Sequence, residues 1–88
     1  MEEVEQRYVN FKAFILQIPN VSTLYAQAIN MCSLAGFLDR LRHHKHQSND
    51  ELISEMAKVA NIDLNSVDTE VKVKFVRYLT YFRKVSEL

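Results

Sequence analysis

The chain has 88 residues, of which 48% are hydrophobic and 25% charged, so we expect one globular domain rather than a disordered segment. Eleven basic and eleven acidic residues give a formal net charge of zero, which argues against nucleic-acid binding through bulk positive charge. One glycine and one proline are too few for a turn-rich β architecture, and this composition favours long helices with few connections.

The first predicted helix covers residues 2–17. Val4, Tyr8, Phe11 and Ile15 recur at spacings of four and three, which places them on one helix face. Glutamates in the first turns interact favourably with the helix dipole. Pro19 then ends the helix, because the residue before a proline is pushed out of the helical region.

The second predicted helix covers residues 22–44 and carries two apolar stripes. The first consists of Leu24, Ala28, Met31, Ala35 and Leu38, and the second of Tyr25, Ile29, Cys32 and Gly36. A helix that is apolar on two sides usually lies at the centre of its domain. Glycine destabilises a helix interior, so we expect that this helix could kink or break near Gly36.

The last two predicted helices cover residues 49–60 and 66–87. Ser48 and Glu51 form a capping-box pattern at the start of the third helix. The final segment carries an apolar stripe at helical spacing, although its alternating residues 70–75 also resemble a strand. Because that stripe persists over four turns, we expect an all-α fold: a single small bundle of four helices, or five if Gly36 divides the second.

Two groups of residues could carry chemistry. His43, His44 and His46 suggest a metal site, but zinc needs at least three ligands, and Cys32 would lie about 16 Å away along a continuous helix. A solvated basic helix end explains the histidines better. Cys32 lies on an apolar stripe, where we expect a buried thiol rather than a nucleophile. We therefore predict no catalytic residue, metal or cofactor, and no enzyme.

A helix-turn-helix pattern is an alternative interpretation of the third and fourth segments. Ala57 supplies the small residue that lets two helices close on each other, and Asn61 stands where the motif usually has glycine. The recognition helix would begin with Asp63 and Asp68, however, and two carboxylates there would face phosphates. A small DNA-binding transcription regulator is the second functional hypothesis.

The best candidate binding surface is a basic-aromatic face on the last helix, because exposed tyrosine and arginine are typical of interfaces. The alternative is a solvated face on which long basic side chains cover apolar surface. The end of the second helix adds a further basic group. The candidate partner-binding residues are Lys74, Arg77, Tyr78, Tyr81 and Lys84, together with Arg40, Arg42 and Lys45.

More large apolar residues are present than one four-helix core needs, which is typical of a homodimer or of a helix-binding groove. The acidic start of the chain lacks the basic region of a signal peptide, and no apolar run is long enough to span a bilayer. We expect a cytoplasmic or nuclear, non-enzymatic interaction module, such as a regulatory adaptor, an inhibitor or an assembly subunit. Its partner would be another protein, with an acidic surface as one option, or a second copy.

Overall fold

The computed structural model describes residues 2–88, and all of the regular secondary structure in that range is helical. The five helices are α1 (Glu2–Leu16), α2 (Thr23–Met31), α3 (Leu34–His43), α4 (Asn49–Ala60) and α5 (Thr69–Ser86). The prediction of an all-α bundle is confirmed, with the alternative of five helices correct. None of these helices is both long and apolar enough to cross a membrane.

The predicted second helix is broken, but at Cys32 and Ser33 rather than at Gly36. Both residues are extended, and the Ser33 hydroxyl accepts a hydrogen bond from the Gly36 amide at 3.0 Å. In a continuous helix, that amide would bind the Cys32 carbonyl. The freed carbonyl instead accepts the Tyr8 hydroxyl at 2.9 Å. Gly36 is therefore part of the N-terminal cap of α3, and a Cβ on it would lie 3.2 Å from the Ser33 hydroxyl oxygen.

The last helix begins later than predicted, at Thr69 instead of Ser66. The preceding residues form a tight turn in which the Asp63 carboxylate accepts hydrogen bonds from the Asn65 amide and the Ser66 hydroxyl. Such side-chain bonds to nearby backbone compete with helix formation. The third predicted helix, by contrast, has the bounds 49–60 that its capping pattern indicates, because the Ser48 hydroxyl accepts from the Glu51 amide.

The core combines a cluster of aromatic side chains from α1, α3 and α5 with a larger number of aliphatic ones, including Leu52 and Ile53 of α4. Phe82 is fully buried, and its ring centroid lies 5.4–6.0 Å from those of Tyr8, Phe11 and Phe37. α1 runs antiparallel to α5, as shown by the contacts of Arg7 with Tyr81, Phe11 with Tyr78, and Phe14 with Phe75. α2 packs mainly against α4 and α1 and lies outside this aromatic core.

The predicted central position of the second helix is therefore wrong for its first half. Within α2 only Ile29 is buried, whereas Leu24 and Met31 are 78% and 86% exposed. The chain turns at Cys32 and Ser33, and α3 therefore has a different direction from α2. As a result, α3 buries Phe37, Leu38 and Leu41 in the core, whereas the part of the first apolar stripe that lies on α2 stays outside it.

Arg83 links the C-terminal half of α5 to the connection between α3 and α4 by hydrogen bonds. Its guanidinium donates to the His44 carbonyl at 2.8 Å, to the Asn49 side-chain oxygen at 2.6 Å and to the Gln47 carbonyl. One planar guanidinium can reach all three acceptors because its donors form a rigid fork. These bonds satisfy backbone carbonyls that the end of α3 and the following turn leave without helical partners.

We predict that Arg83→Met lowers the free energy of unfolding by about 2 kcal/mol, since hydrogen bonds to a charged donor contribute about 1.5–3 kcal/mol each and this side chain is only half-buried. Lys84→Met is the matched control, because Lys84 is exposed on the same turn and should leave stability nearly unchanged. Urea unfolding followed by circular dichroism measures both. Equal destabilisation by the two substitutions would contradict this role.

Candidate functional site

The basic-aromatic face predicted on the last helix is formed on the outer side of α5. Lys74, Arg77 and Lys84 are exposed, and Tyr81 between them is half-exposed. The side chains recur at spacings of three and four residues and so line one side of the helix. This face extends from Lys74 to Lys84, a rise of about 15 Å at 1.5 Å per residue.

Side chains of α1 border this face. The Arg7 guanidinium carbon lies 4.3 Å above the ring centroid of Tyr81, and Arg7 is paired with Glu3 at 3.0 Å. The Lys74 ammonium lies 5.3 Å from the ring centroid of Phe14. These cation–π contacts hold two basic groups beside aromatic rings at the junction of α1 and α5.

Tyr78 packs mainly toward the aromatic core, although it is half-buried in the same way as Tyr81. Its ring centroid lies 5.2 Å from that of Phe11, 5.5 Å from that of Phe14 and 6.5 Å from that of Phe82. It is half-buried and forms the edge of the core. Tyr81 also packs on the core, with its ring centroid 5.2 Å from that of Phe82, but it lies beneath the Arg7 guanidinium at the junction of α1 and α5.

The basic residues predicted at the end of the second helix lie in three different environments at and after the end of α3. The Arg42 Nε donates to the Ser86 carbonyl at 2.7 Å, so this arginine caps the C-terminal end of α5. Lys45 is exposed in the turn that follows α3. Arg40 lines a groove beside Tyr8 and Tyr25. The structure therefore does not bring the eight predicted partner-binding residues together on one surface.

The groove beside Arg40 has a volume of about 400 Å³ and lies between α2, α3 and α4. Its floor includes Phe37 and Leu52, and its rim includes Glu55, Met56 and Val59. Burial raises the pKa of both tyrosines that line it, Tyr8 and Tyr25. The groove is mainly apolar, and sequence reasoning did not identify it.

The exposed stripe of α2 beside this groove was missed for a definable reason. Apolar periodicity shows that a helix has an apolar face, but it does not show whether the same chain covers that face. A second signal was available in the sequence: no Asp, Glu, Lys, Arg or His occurs in the 26 residues from Ala13 to Leu38. Loss of charge over exposed helix surface is typical of interface cores.

Two of the three histidines and Cys32 have local structural partners. The His43 Nδ1 lies 2.8 Å from the Asp39 carbonyl, and the His44 Nδ1 lies 2.7 Å from the Gln47 side-chain oxygen. Cys32 is half-buried at the break between α2 and α3, not fully buried as expected. Within residues 2–88, no three His, Cys, Asp or Glu side chains are close enough together to hold a metal ion.

The region with the helix-turn-helix pattern matches that motif in its local backbone geometry but differs from it in the length of the connection between the helices. Asn61 adopts the left-handed conformation, with φ at 60°, and Ala57 is buried against its neighbours. The connection to α5, however, comprises residues 61–68, whereas the motif joins its helices through three or four residues. The observed spacing does not favour a recognition helix at the start of α5.

A second groove, of about 790 Å³, lies between the turn after α1 and the connection from α4 to α5. Asp63, Asp68 and Glu70 are among its lining residues. The Ser66 hydroxyl and the Asn65 amide donate hydrogen bonds to the Asp63 carboxylate and hold its pKa below the ordinary range. This carboxylate already serves the turn that sets the start of α5.

Comparisons with family models, curated proteins and solved structures find no significant match to this chain. Any functional conclusion therefore depends on the geometry and charges described above.

We predict that Ser66→Ala raises the pKa of Asp63 toward its ordinary value, because the serine hydroxyl is the largest cause of its lowering. A lowered folded-state pKa means that ionised Asp63 stabilises the fold above its unfolded-state value near 3.8, and that this contribution disappears as the pH falls through the folded-state value. NMR titration of the carboxyl carbon measures the shift. Ser54→Ala, at an exposed serine of α4, is the control, and an Asp63 titration unchanged by Ser66→Ala would contradict the assignment.

Proposed function

We propose that this protein is a non-enzymatic interaction module that binds an acidic surface of another protein through the outer face of α5. The observation that carries the proposal is the row Lys74, Arg77 and Lys84, three exposed cations beside Tyr81. Throughout residues 2–88, ion pairs within 4.0 Å involve only Arg7, Arg42 and His43 as cations. The row on α5 thus lacks carboxylate partners within the described chain.

The uses of the other arginines support this assignment. Arg83 and Arg42 bind backbone carbonyls, and Arg7 pairs with Glu3 over Tyr81. These three side chains therefore have partners within the chain, whereas Arg40 lines the groove between α2, α3 and α4. Arg77 and Lys84 have no such hydrogen bond or ion pair in residues 2–88, so their charges are available to a partner.

Tyr81 supplies the part of the binding energy that surface charges do not. An exposed ion pair contributes only about 0.2–1 kcal/mol, so a row of cations alone gives steering and specificity rather than high affinity. Arg7 covers one face of the Tyr81 ring and restrains it, so a partner would contact the remaining exposed part of this side chain at a low cost in conformational entropy. Tyrosine and arginine are the residue types that dominate binding energy at protein interfaces.

A protein partner explains the charge distribution on α5 better than nucleic acid does. Exposed carboxylates of Glu70 and Glu87 stand near the two ends of the basic row. They limit its length and would repel a continuous phosphate backbone. The net charge of zero gives no additional long-range attraction to nucleic acid.

We predict that Arg77→Glu weakens binding of a fluorescein-labelled helical peptide bearing a row of glutamates by about tenfold, which corresponds to about 1.4 kcal/mol. Charge reversal replaces attraction by repulsion at the centre of the row. Fluorescence anisotropy at low and high salt measures the affinity, and added salt should weaken wild-type binding because surface charges are screened.

Lys58→Glu is the matched control, because Lys58 is an exposed cation on α4 and its reversal changes the net charge by the same amount. Equal weakening by the two substitutions would show that only net charge matters and that the face is misplaced. Binding of a labelled DNA duplex that depends on Arg77, without peptide binding, would replace this proposal by the DNA-binding alternative.

A further inference from the structure

α2 is the only one of the five helices without a charged residue, yet most of its surface is not buried by the chain. It lies in the middle of the uncharged segment from Ala13 to Leu38. An uncharged segment inside a core needs no further explanation. Here, however, Ile29 is the only buried residue of the helix, so the absence of charge extends to surface that this chain leaves exposed.

The outer side of α2 presents a row of apolar groups. Leu24 is 78% exposed and Met31 is 86% exposed, and Ala28 lies between them one turn from each. Across the groove, Val59 of α4 is 69% exposed. Large apolar side chains that are exposed together mark interaction surfaces, and methionine is enriched in interface cores. We call Leu24, Ala28, Met31 and Val59 the α2 face.

Two opposite charges border the groove beside the α2 face. Arg40 belongs to the α3 wall and Glu55 to the α4 wall, and they do not form an ion pair with each other. A two-fold axis turns one copy so that each surface patch meets itself. If the axis passes between the α3 and α4 walls of the groove, Arg40 of one copy faces Glu55 of the other, and the same pair forms a second time across the axis.

We propose that the α2 face is the interface of a symmetric homodimer, with a second copy of this chain as its occupant. The centre of the patch has no charge and so causes no like-charge repulsion when it meets itself. Ala28, at the middle of the row, has a small side chain that allows two helices to approach closely. At the edge, Arg40 and Glu55 make the surface electrostatically complementary to itself rather than to a uniformly acidic or basic partner.

The first test is the mass in solution by sedimentation equilibrium. The wild type should have twice the 10.3 kDa mass of the chain, and Met31→Glu should be monomeric, with the dissociation constant raised at least about 100-fold because each copy would bury a glutamate in the apolar interface. Val9→Glu is the matched control, since Val9 is 54% exposed on α1, and this variant should stay dimeric. A wild-type monomer, or a dimeric Met31→Glu, would overturn the proposal.

The second test uses the paired charges. Arg40→Glu and Glu55→Arg should each weaken the dimer about tenfold or more, because each variant places like charges opposite each other on both sides of the axis. An equimolar mixture should restore the wild-type affinity, because the heterodimer has two unlike pairs. Failure of the mixture to recover while each variant alone is weakened would overturn the two-fold arrangement.

Folding is checked separately by circular dichroism, and it should be unchanged because Met31, Arg40 and Glu55 are exposed. The homodimer is independent of the function proposed for α5. Arg77→Glu should leave the dimer intact, whereas Met31→Glu should leave the intrinsic affinity of each α5 face for the acidic peptide intact. The two proposals can therefore fail separately.

Discussion

The hydrogen bond from the Tyr8 hydroxyl to the Cys32 carbonyl stabilises the break on which the rest of this structure depends. Without the break, α2 and α3 would form one rod, and a straight helix cannot turn two different stripes toward the same core. The Ser33 hydroxyl replaces the lost helical acceptor of the Gly36 amide. Tyr8 satisfies the carbonyl that is released, so the break leaves these two polar groups partnered.

This break also decides which apolar side chains are left over. α3 places Phe37 against Tyr8 and Phe82, and together they close the aromatic core. α2 then lies outside that core with Leu24 and Met31 toward solvent. Exposed apolar side chains lower the solubility of a protein. The uncharged segment is therefore better explained by an interaction with a partner than by the folding of this chain alone.

The sequence predicted that every element is a helix, because the capping signals and apolar periods agree, but it indicated four helices with five only as the alternative that the structure shows. α4 is the clearest case, since Ser48 caps its start and Asn61 adopts the left-handed conformation at its end. The start of α5 and the break before α3 were misplaced because short polar side chains, those of Asp63 and Ser33, bind nearby amides in competition with the helix.

The candidate site was predicted in part. Periodicity identified Lys74, Arg77 and Lys84 as neighbours on α5, and they are exposed. It could not distinguish these cations from Arg42, whose partner is the carbonyl of Ser86, more than forty residues away in the sequence. Contacts between residues so far apart in the sequence leave no periodic pattern. Only the three-dimensional structure shows which basic side chains already have partners within the chain.

The two proposals, partner binding through the α5 face and self-association through the α2 face, would be compatible in one mode of action. α2 packs mainly on α4 and α1, and no residue of α5 lines the groove beside the α2 face. Association through the α2 face would therefore be compatible with an accessible basic row on α5. A symmetric dimer would carry that row twice.

Each basic row alone offers the modest affinity of surface charges and one tyrosine. Two linked rows would bind both acidic segments of a partner with repeated segments at the same time. The second contact then forms at a high effective concentration and can strengthen binding about 100-fold or more without any new interaction. Self-association would thus convert a weak helical face into a selective one.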